Sequence, residues 1–249
     1  MKYKVLVPGS PIRTSIGALG ASSVILIEKN ETTILVDTTH YGRRHLLMDA
    51  LAEAGLEPRN IDYVIITHLH WDHCLNYDLF ENSQFLISKQ ELDYNIDPSP
   101  KDRFTLRNFH KLAYKLNIRE ITNNNTSIIE GVQLVLTPGH TNGHMIVTVK
   151  DKKTSIIMTG DAIPNLRAWY RGRPDILTGS AEDARRSVKI IKELAKGAIV
   201  VPGHDQPFTF TGKTANYLFT TDAEFTFRED RERDFVVRMG EFVSKQEYR

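Results

Sequence analysis

Apolar residues along this chain follow two different spacings, one suited to strands and one to helices. Ser23-Val24-Ile25-Leu26-Ile27-Glu28 and Thr32-Thr33-Ile34-Leu35-Val36-Asp37 are apolar, β-branched runs separated by the polar Lys29-Asn30-Glu31, which predicts a hairpin whose second strand ends in an acid. From Gly42 to Ala54 the spacing changes. Leu46, Leu47, Ala50, Leu51 and Ala54 recur at helical intervals, and Gly55 is placed to end that helix. A short buried strand follows at 62–66, and Tyr63-Val64-Ile65-Ile66 runs directly into Thr67-His68-Leu69-His70-Trp71-Asp72-His73.

The second half repeats this order. Met145 to Lys150 and Thr154 to Thr159 predict a hairpin across Asp151-Lys152-Lys153, ending at Gly160-Asp161, so that Asp161 takes the place Asp37 holds in the first half. Ser180-Ala181-Glu182-Asp183 reads as a capping box, and Ala184, Val188, Ile191 and Ala195 make one helical face. The strand Ala198-Ile199-Val200-Val201 then runs into Pro202-Gly203-His204-Asp205. Hairpin, acidic end, helix, strand and histidine loop thus occur twice. This duplication predicts an α/β fold, a four-layer αβ/βα sandwich of two mixed sheets with outer helices and with the histidine loops meeting at one edge.

Between the halves, Gln84-Phe85-Leu86-Ile87-Ser88 predicts a strand. Residues 101 to 117 predict an amphipathic helix through Phe109, Leu112, Ala113 and Leu116, and the preceding Asp97-Pro98-Ser99-Pro100 a loop at the rim of the site. Val132 to Thr137 predicts a further strand, leading into Pro138-Gly139-His140-Thr141-Asn142-Gly143-His144. The tail from Gly212 offers Phe225, Phe227, Phe235 and Val236 for packing. No linker or low-complexity stretch divides the chain, so residues 1–249 are expected to form one domain.

The stretch His68 to His73 carries three imidazoles and one carboxylate within six residues, a composition that suits a metal centre and not an apolar core. Where the chain is extended or looping, His68 and His70 can point one way while the following turn swings Asp72 and His73 to the other, so one short stretch can serve two adjacent ions. His140 and His204 each follow Pro-Gly at a strand end, where glycine admits a close backbone approach. Cys74 is the only cysteine, which excludes an intrachain disulfide. A net charge of +1, from 32 basic and 31 acidic residues, gives no global field for nucleic acid or an anionic membrane. With no apolar run of membrane-spanning length and none at the amino terminus fit for a signal peptide, a cytoplasmic location is expected.

On these residues the chain resembles the metallo-β-lactamase fold superfamily: His68-Leu69-His70-Trp71-Asp72-His73 matches its metal motif, and Pro138-Gly139-His140, Gly160-Asp161 and Pro202-Gly203-His204 follow in order. The resemblance implies one ion on His68, His70 and His140, a second on Asp72, His73 and His204, and Asp161 bridging them together with a hydroxide. Asp37 and His144 would then orient the ligands from behind, and Asp72 would carry a proton to the leaving group. It further implies two divalent ions, zinc by ligand type with iron or manganese also accommodated, and a hydrolase acting on a small acyl substrate, a lactone or thioester. A phosphodiesterase or nuclease-type hydrolase and a mononuclear iron dioxygenase are the alternatives on the same scaffold. A homodimer is compatible with this reading, and a nucleic-acid or membrane partner is not expected. Pro164 stands where the acyl-homoserine lactonases carry a tyrosine, leaving Tyr170 as its substitute. Segments 94–104 and 162–179 are expected to line the mouth, with apolar walls from Tyr94, Ile96, Phe104, Ile163 and Leu166 and with Trp169, Tyr170 and Arg167 as substrate-binding candidates.

Overall fold

The computed structural model describes residues 1–15, 17–152 and 155–219, with backbone alone for Arg13, Thr14, Ala18 and for 224–228 and 234–238. The first half opens with β1 (Lys2–Val7), a short ribbon of β2 (Arg13–Thr14) and β3 (Gly17–Ala18), then β4 (Val24–Lys29) and β5 (Thr32–Val36). Asn30 and Glu31, both at positive φ (47° and 67°), make the tight turn between β4 and β5. Next come α1 (Arg44–Glu53), β6 (Tyr63–Ile65), α2 (Trp71–Cys74), β7 (Gln84–Ser88), α3 (Lys89–Ile96), α4 (Phe109–Leu112) and β8 (Asn117–Ile121). The second half contains β9 (Thr126–Ile129), β10 (Val132–Leu136), β11 (Met145–Lys150), β12 (Ser155–Gly160), α5 (Leu166–Arg171), α6 (Ala181–Leu194), β13 (Ile199–Pro202), β14 (Phe208–Thr211) and β15 (Thr214–Tyr217). The backbone of β16 (Glu224–Arg228) and β17 (Asp234–Arg238) forms a separate two-stranded pair.

Both large sheets are mixed. The first has the order β1-β4-β5-β6-β7-β8, antiparallel up to β5 and parallel from there on. The second has the order β15-β14-β13-β12-β11-β10-β9, with β12 and β13 its parallel pair. The repeat read from the sequence is therefore a repeat of topology: a hairpin whose second strand pairs in parallel with the strand beyond the next helix, β5 with β6 and β12 with β13.

Side-chain alternation along the strands sets the layers. On β4 and β5, Ile25, Ile27, Ile34 and Val36 point to a central cluster shared with Leu134, Met145, Val147 and Met158 of the opposite sheet. Their neighbours Val24, Leu26 and Leu35 point the other way, against Leu47 and Leu51 of α1. On the far side of the second sheet, Val135, Ile146 and Ile157 pack on Val188, Ile191 and Ala195 at the α6 face. Helix, sheet, sheet and helix follow one another, which is the layering predicted. Ser180 caps α6 by accepting from the backbone N–H groups of Glu182 and Asp183.

One element departs from expectation. Instead of a helix over 101–117, only Phe109–Leu112 is helical; residues 97–108 form an irregular loop, and Asn117–Ile121 is the edge strand β8. The cause is a pairing with another part of the chain: the Phe104 carbonyl and the Leu106 N–H bond to the backbone of Trp71 and Leu69, setting Thr105 opposite His70 in an antiparallel bridge, and Asn108 sits at φ 60°. Strands β1, β9, β14 and β15 and helices α3 and α5 were not legible in the pattern. Thr154 of the second hairpin and the side chains of Phe225, Phe227, Phe235 and Val236 lie outside the described residues.

Phe85 on β7 is fully buried in the cluster under α1, whereas Leu112 is 49% exposed. Phe85→Ala should lower unfolding free energy in urea by about 3–5 kcal/mol. Leu112→Ala should change it by no more than about 0.5 kcal/mol.

Candidate metal centre

The strand ends of both halves deliver their polar residues to one place. His68, His70 and His140 bring their ring nitrogens together, and a carboxylate oxygen of Asp72 meets the ring nitrogens of His73 and His204, the donor atoms within each group lying within 4.8 Å of one another. His140 Nε2 is 3.2 Å from His68 Nε2 and 3.0 Å from His70 Nδ1. His204 Nε2 is 3.2 Å from Asp72 Oδ2. Asp161 stands between the groups, with Oδ1 3.3 Å from His73 Nε2 and Oδ2 3.5 Å from His140 Nε2 and 3.3 Å from His204 Nε2.

Bonds behind the rings fix which nitrogen faces inward. Thr67 Oγ1 donates to Asp37 Oδ2 (2.9 Å), so it accepts from His68 Nδ1 (3.1 Å). His73 Nδ1 donates to Asp37 Oδ2 (2.7 Å), His140 Nδ1 to the Ile176 carbonyl (2.9 Å) and His204 Nδ1 to the Ser10 carbonyl (3.2 Å). In the neutral rings each Nε2 is then a lone pair turned toward other lone pairs. Such an array is repulsive unless a cation occupies the space between, and the buried Nε2 of His73 and Oδ1 of Asp161 have no hydrogen-bond partner. The donor set fits divalent ions of the zinc type.

Charge divides the cluster. Burial, reinforced by neighbouring imidazoles, holds His68 and His70 well below the usual histidine pKa, and burial lowers His140 as well. Burial also opposes charge on His73, but Asp37, Asp161 and Asp72 outweigh it and raise its pKa well above the ordinary value. At His204 burial is likewise outweighed, here by Asp161 and Asp72. Asp161 is held well below the carboxylate range by His204 and His73 against its own burial. One group is a set of neutral imidazoles, and the other is rich in carboxylate.

The supports come from all parts of the chain. Asp37, at φ 59°, also accepts from Thr67 N at 2.8 Å, tying the end of β5 to the metal loop. Gly203 has no room for a side chain, because an added Cβ would lie 2.2 Å from Asp161 Oδ1. Both ring nitrogens of His144 are engaged: Nδ1 meets Thr137 Oγ1 at 2.9 Å, and Nε2 accepts from the N–H groups of Asp161 (3.0 Å) and Ala162 (3.2 Å). His144 therefore holds the backbone of Asp161.

Two residues here went unread in the sequence. Glu91 on α3 accepts from Leu69 N (3.0 Å), Thr141 Oγ1 (2.8 Å) and Gly143 N (3.0 Å), joining the two histidine loops, and burial raises its pKa against those bonds. Asp102, in the irregular loop, lies 3.9 Å from His70 Nε2. Burial opposes its charge, but bonds from Thr105 and Phe104 outweigh that and lower its pKa. Glu91 carried no signal separating it from a surface glutamate. Asp102 was hidden by its apparent place in a helix.

The expected mouth is placed only in part. Phe104 packs on the His70 ring at 5.6 Å, and Ile176 and Thr178 border His140. Ile163 and Leu166, expected as walls, are buried in the α6 core instead. Trp169 stacks on Phe210 at 4.5 Å, and the Tyr170 hydroxyl donates to the Lys213 carbonyl at 3.4 Å. These two rings line a cavity of about 520 Å³ with Lys192, Lys196 and Lys213, to which no residue of the histidine cluster contributes. Arg167 is exposed, and Arg171 pairs with Asp175. Trp169 and Tyr170 are thus engaged with Phe210 and Lys213.

Glu91→Gln would set an amide NH₂ against donors that now meet a carboxylate. The variant should lose about 1–3 kcal/mol of unfolding free energy, measured in urea at neutral pH.

Comparison with known proteins agrees with this geometry. Residues 17–204 match the metallo-beta-lactamase superfamily. A probable metallo-hydrolase of Methanocaldococcus jannaschii is 31% identical over 172 residues, covering 69% of this chain and 70% of that one. An N-acyl homoserine lactonase of a Bacillus species is 28% identical over 162 residues, covering 64% of this chain and 62% of its own length. Among solved structures, an N-acyl homoserine lactone hydrolase with N-hexanoyl-L-homoserine at its catalytic metal centre superposes with a TM-score of 0.63 at 25% identity, covering 75% of this chain and 82% of that one. With a match over most of its length and the histidine and aspartate groups gathered at the strand ends, this chain belongs to the metallo-beta-lactamase superfamily and is a metal-dependent hydrolase.

Proposed function

We propose that this protein hydrolyses a small acyl substrate, a lactone in the first place and a thioester in the second, at a pair of divalent ions. The observation that carries the reading is the position of Asp161, whose two oxygens face His73 on one side and His140 and His204 on the other. His68, His70 and His140 would hold one ion, Asp72, His73 and His204 the other, and Asp161 both. Bound ions supply hydroxide at neutral pH and polarise the acyl oxygen.

The chain's own residues do the rest. Asp72 has one oxygen beside His204 and is 7% exposed at the floor of the site, so it can take the proton of the attacking group and return it to the leaving oxygen. In that exchange a new carbon–oxygen bond forms at the acyl carbon, the ring carbon–oxygen bond of the lactone breaks, and the proton ends on the released hydroxyl. Phe104 beside His70, and the part-buried Trp71 beside His40, give the mouth an apolar wall for the acyl body. The lactonase relatives support the same substrate class. Arg167 is exposed and Arg171 pairs with Asp175, so neither adds support to a phosphodiester reading. Residues of both halves share the central cluster, which supports treating the two halves as one domain, and no described helix is long and apolar enough to cross a membrane.

The test compares kcat/KM for an N-acyl homoserine lactone, a thioester and a bis-aryl phosphodiester. The lactone should give the highest value, and His70→Ala and His140→Ala should each lower it by more than roughly 100-fold, since even groups behind ligands cost 10–100-fold. A preference for the phosphodiester, or near-normal turnover in either variant, would overturn the reading.

A further inference from the structure

His70 differs from the other histidines of the cluster. Whereas His68, His73, His140 and His204 bond backward through Nδ1, His70 turns Nδ1 inward, 3.0 Å from His140 Nε2, and its Nε2 faces away. That Nε2 is buried without a hydrogen-bond partner. The carboxylate facing it is Asp102, with Oδ1 at 3.9 Å. We infer that Asp102 is the positioning residue for His70, keeping the proton on Nε2 so that the Nδ1 lone pair is available to the metal centre.

The direction of the effect is electrostatic. A neutral imidazole carries one N–H, and a carboxylate facing Nε2 attracts that hydrogen and repels a lone pair, so it selects the tautomer with Nδ1 free. Asp102 is itself anchored. Its Oδ1 accepts from Phe104 N (2.9 Å) and Thr105 N (3.0 Å), and its Oδ2 accepts from Thr105 Oγ1 (2.6 Å) and the Tyr94 hydroxyl (3.0 Å). Arg107 reaches the carbonyls of Ser99 (3.1 Å) and Asp102 (3.3 Å), closing the loop on itself. The loop is also fastened to the metal stretch by backbone bonds, Trp71 N to the Phe104 carbonyl and Leu106 N to the Leu69 carbonyl, both 2.8 Å. Because Phe104 of this loop flanks the His70 ring, the segment that bounds the mouth also sets the donor state of a ligand.

This inference rests on the two-ion reading, and its test separates the two. Full-length protein is reconstituted with zinc, and both dissociation constants are measured by chelator competition for wild type, Asp102→Asn and Thr105→Val. Asparagine keeps the size of the side chain but removes the charge facing His70, whereas Thr105→Val removes one anchor and leaves that charge in place. Asp102→Asn should weaken one of the two zinc sites by about 10–100-fold and leave the other unchanged. Thr105→Val should hold both constants near wild type. Histidine-ring nitrogen NMR should show His70 protonated on Nε2 in wild type and a mixture of tautomers in Asp102→Asn. Unchanged zinc constants in Asp102→Asn, or equal losses in both variants, would overturn the inference. If wild type binds fewer than two ions the two-ion reading fails, and the tautomer of His70 in wild type and Asp102→Asn then decides the role of Asp102 alone.

Discussion

Everything at the active edge of this protein depends on the meeting of lone pairs in a buried space. Five imidazoles and the carboxylates of Asp72 and Asp161 converge there, and ring nitrogens approach one another at 3.0 and 3.2 Å, with the protons of His68, His73, His140 and His204 committed to bonds on the opposite side. Burying such groups without compensation is expensive, and a proton can satisfy only one pair at a time. Bound divalent metal would satisfy the array. The constraint also explains the anchoring behind the rings: Asp37, Thr67, Ile176 and Ser10 exist in this arrangement to decide which nitrogen keeps its hydrogen.

The duplicated topology is the means of bringing these groups together. A parallel strand pair in each sheet, β5 with β6 and β12 with β13, ends at the same edge, so residues far apart in sequence reach one site from rigid strand ends. The facing sheets share one apolar cluster, which fixes their spacing and with it the gap between the loops. Cross-links then remove the remaining freedom. Glu91 bonds both the loop before His70 and the loop after His140, and His144 holds the backbone of Asp161. Loops that might open are each tied by buried polar bonds to the element opposite.

The layered fold and the cluster of histidines and aspartates were legible because they follow short-range rules. Continuous apolar runs mark β4, β5 and β11, helical spacing marks α1 and α6, and the histidines and aspartates fall at strand ends with short fixed spacing. What was missed depends on distant partners. The polar edge strands β8 and β15 are half exposed and carry no strong apolar pattern. The spacing of Phe109, Leu112, Ala113 and Leu116 is helical, yet backbone bonds of Phe104 and Leu106 to Trp71 and Leu69 keep the preceding segment out of a helix. The stacking partner of Trp169, Phe210 on a strand of the second sheet, was likewise beyond any short-range pattern.

Anomalous diffraction at the zinc edge, from crystals of the zinc-reconstituted protein, tests the central claim most directly. Two peaks are expected, one ringed by His68, His70 and His140 and one by Asp72, His73 and His204, with Asp161 between them. A single peak, or zinc bound away from these residues, would contradict the account.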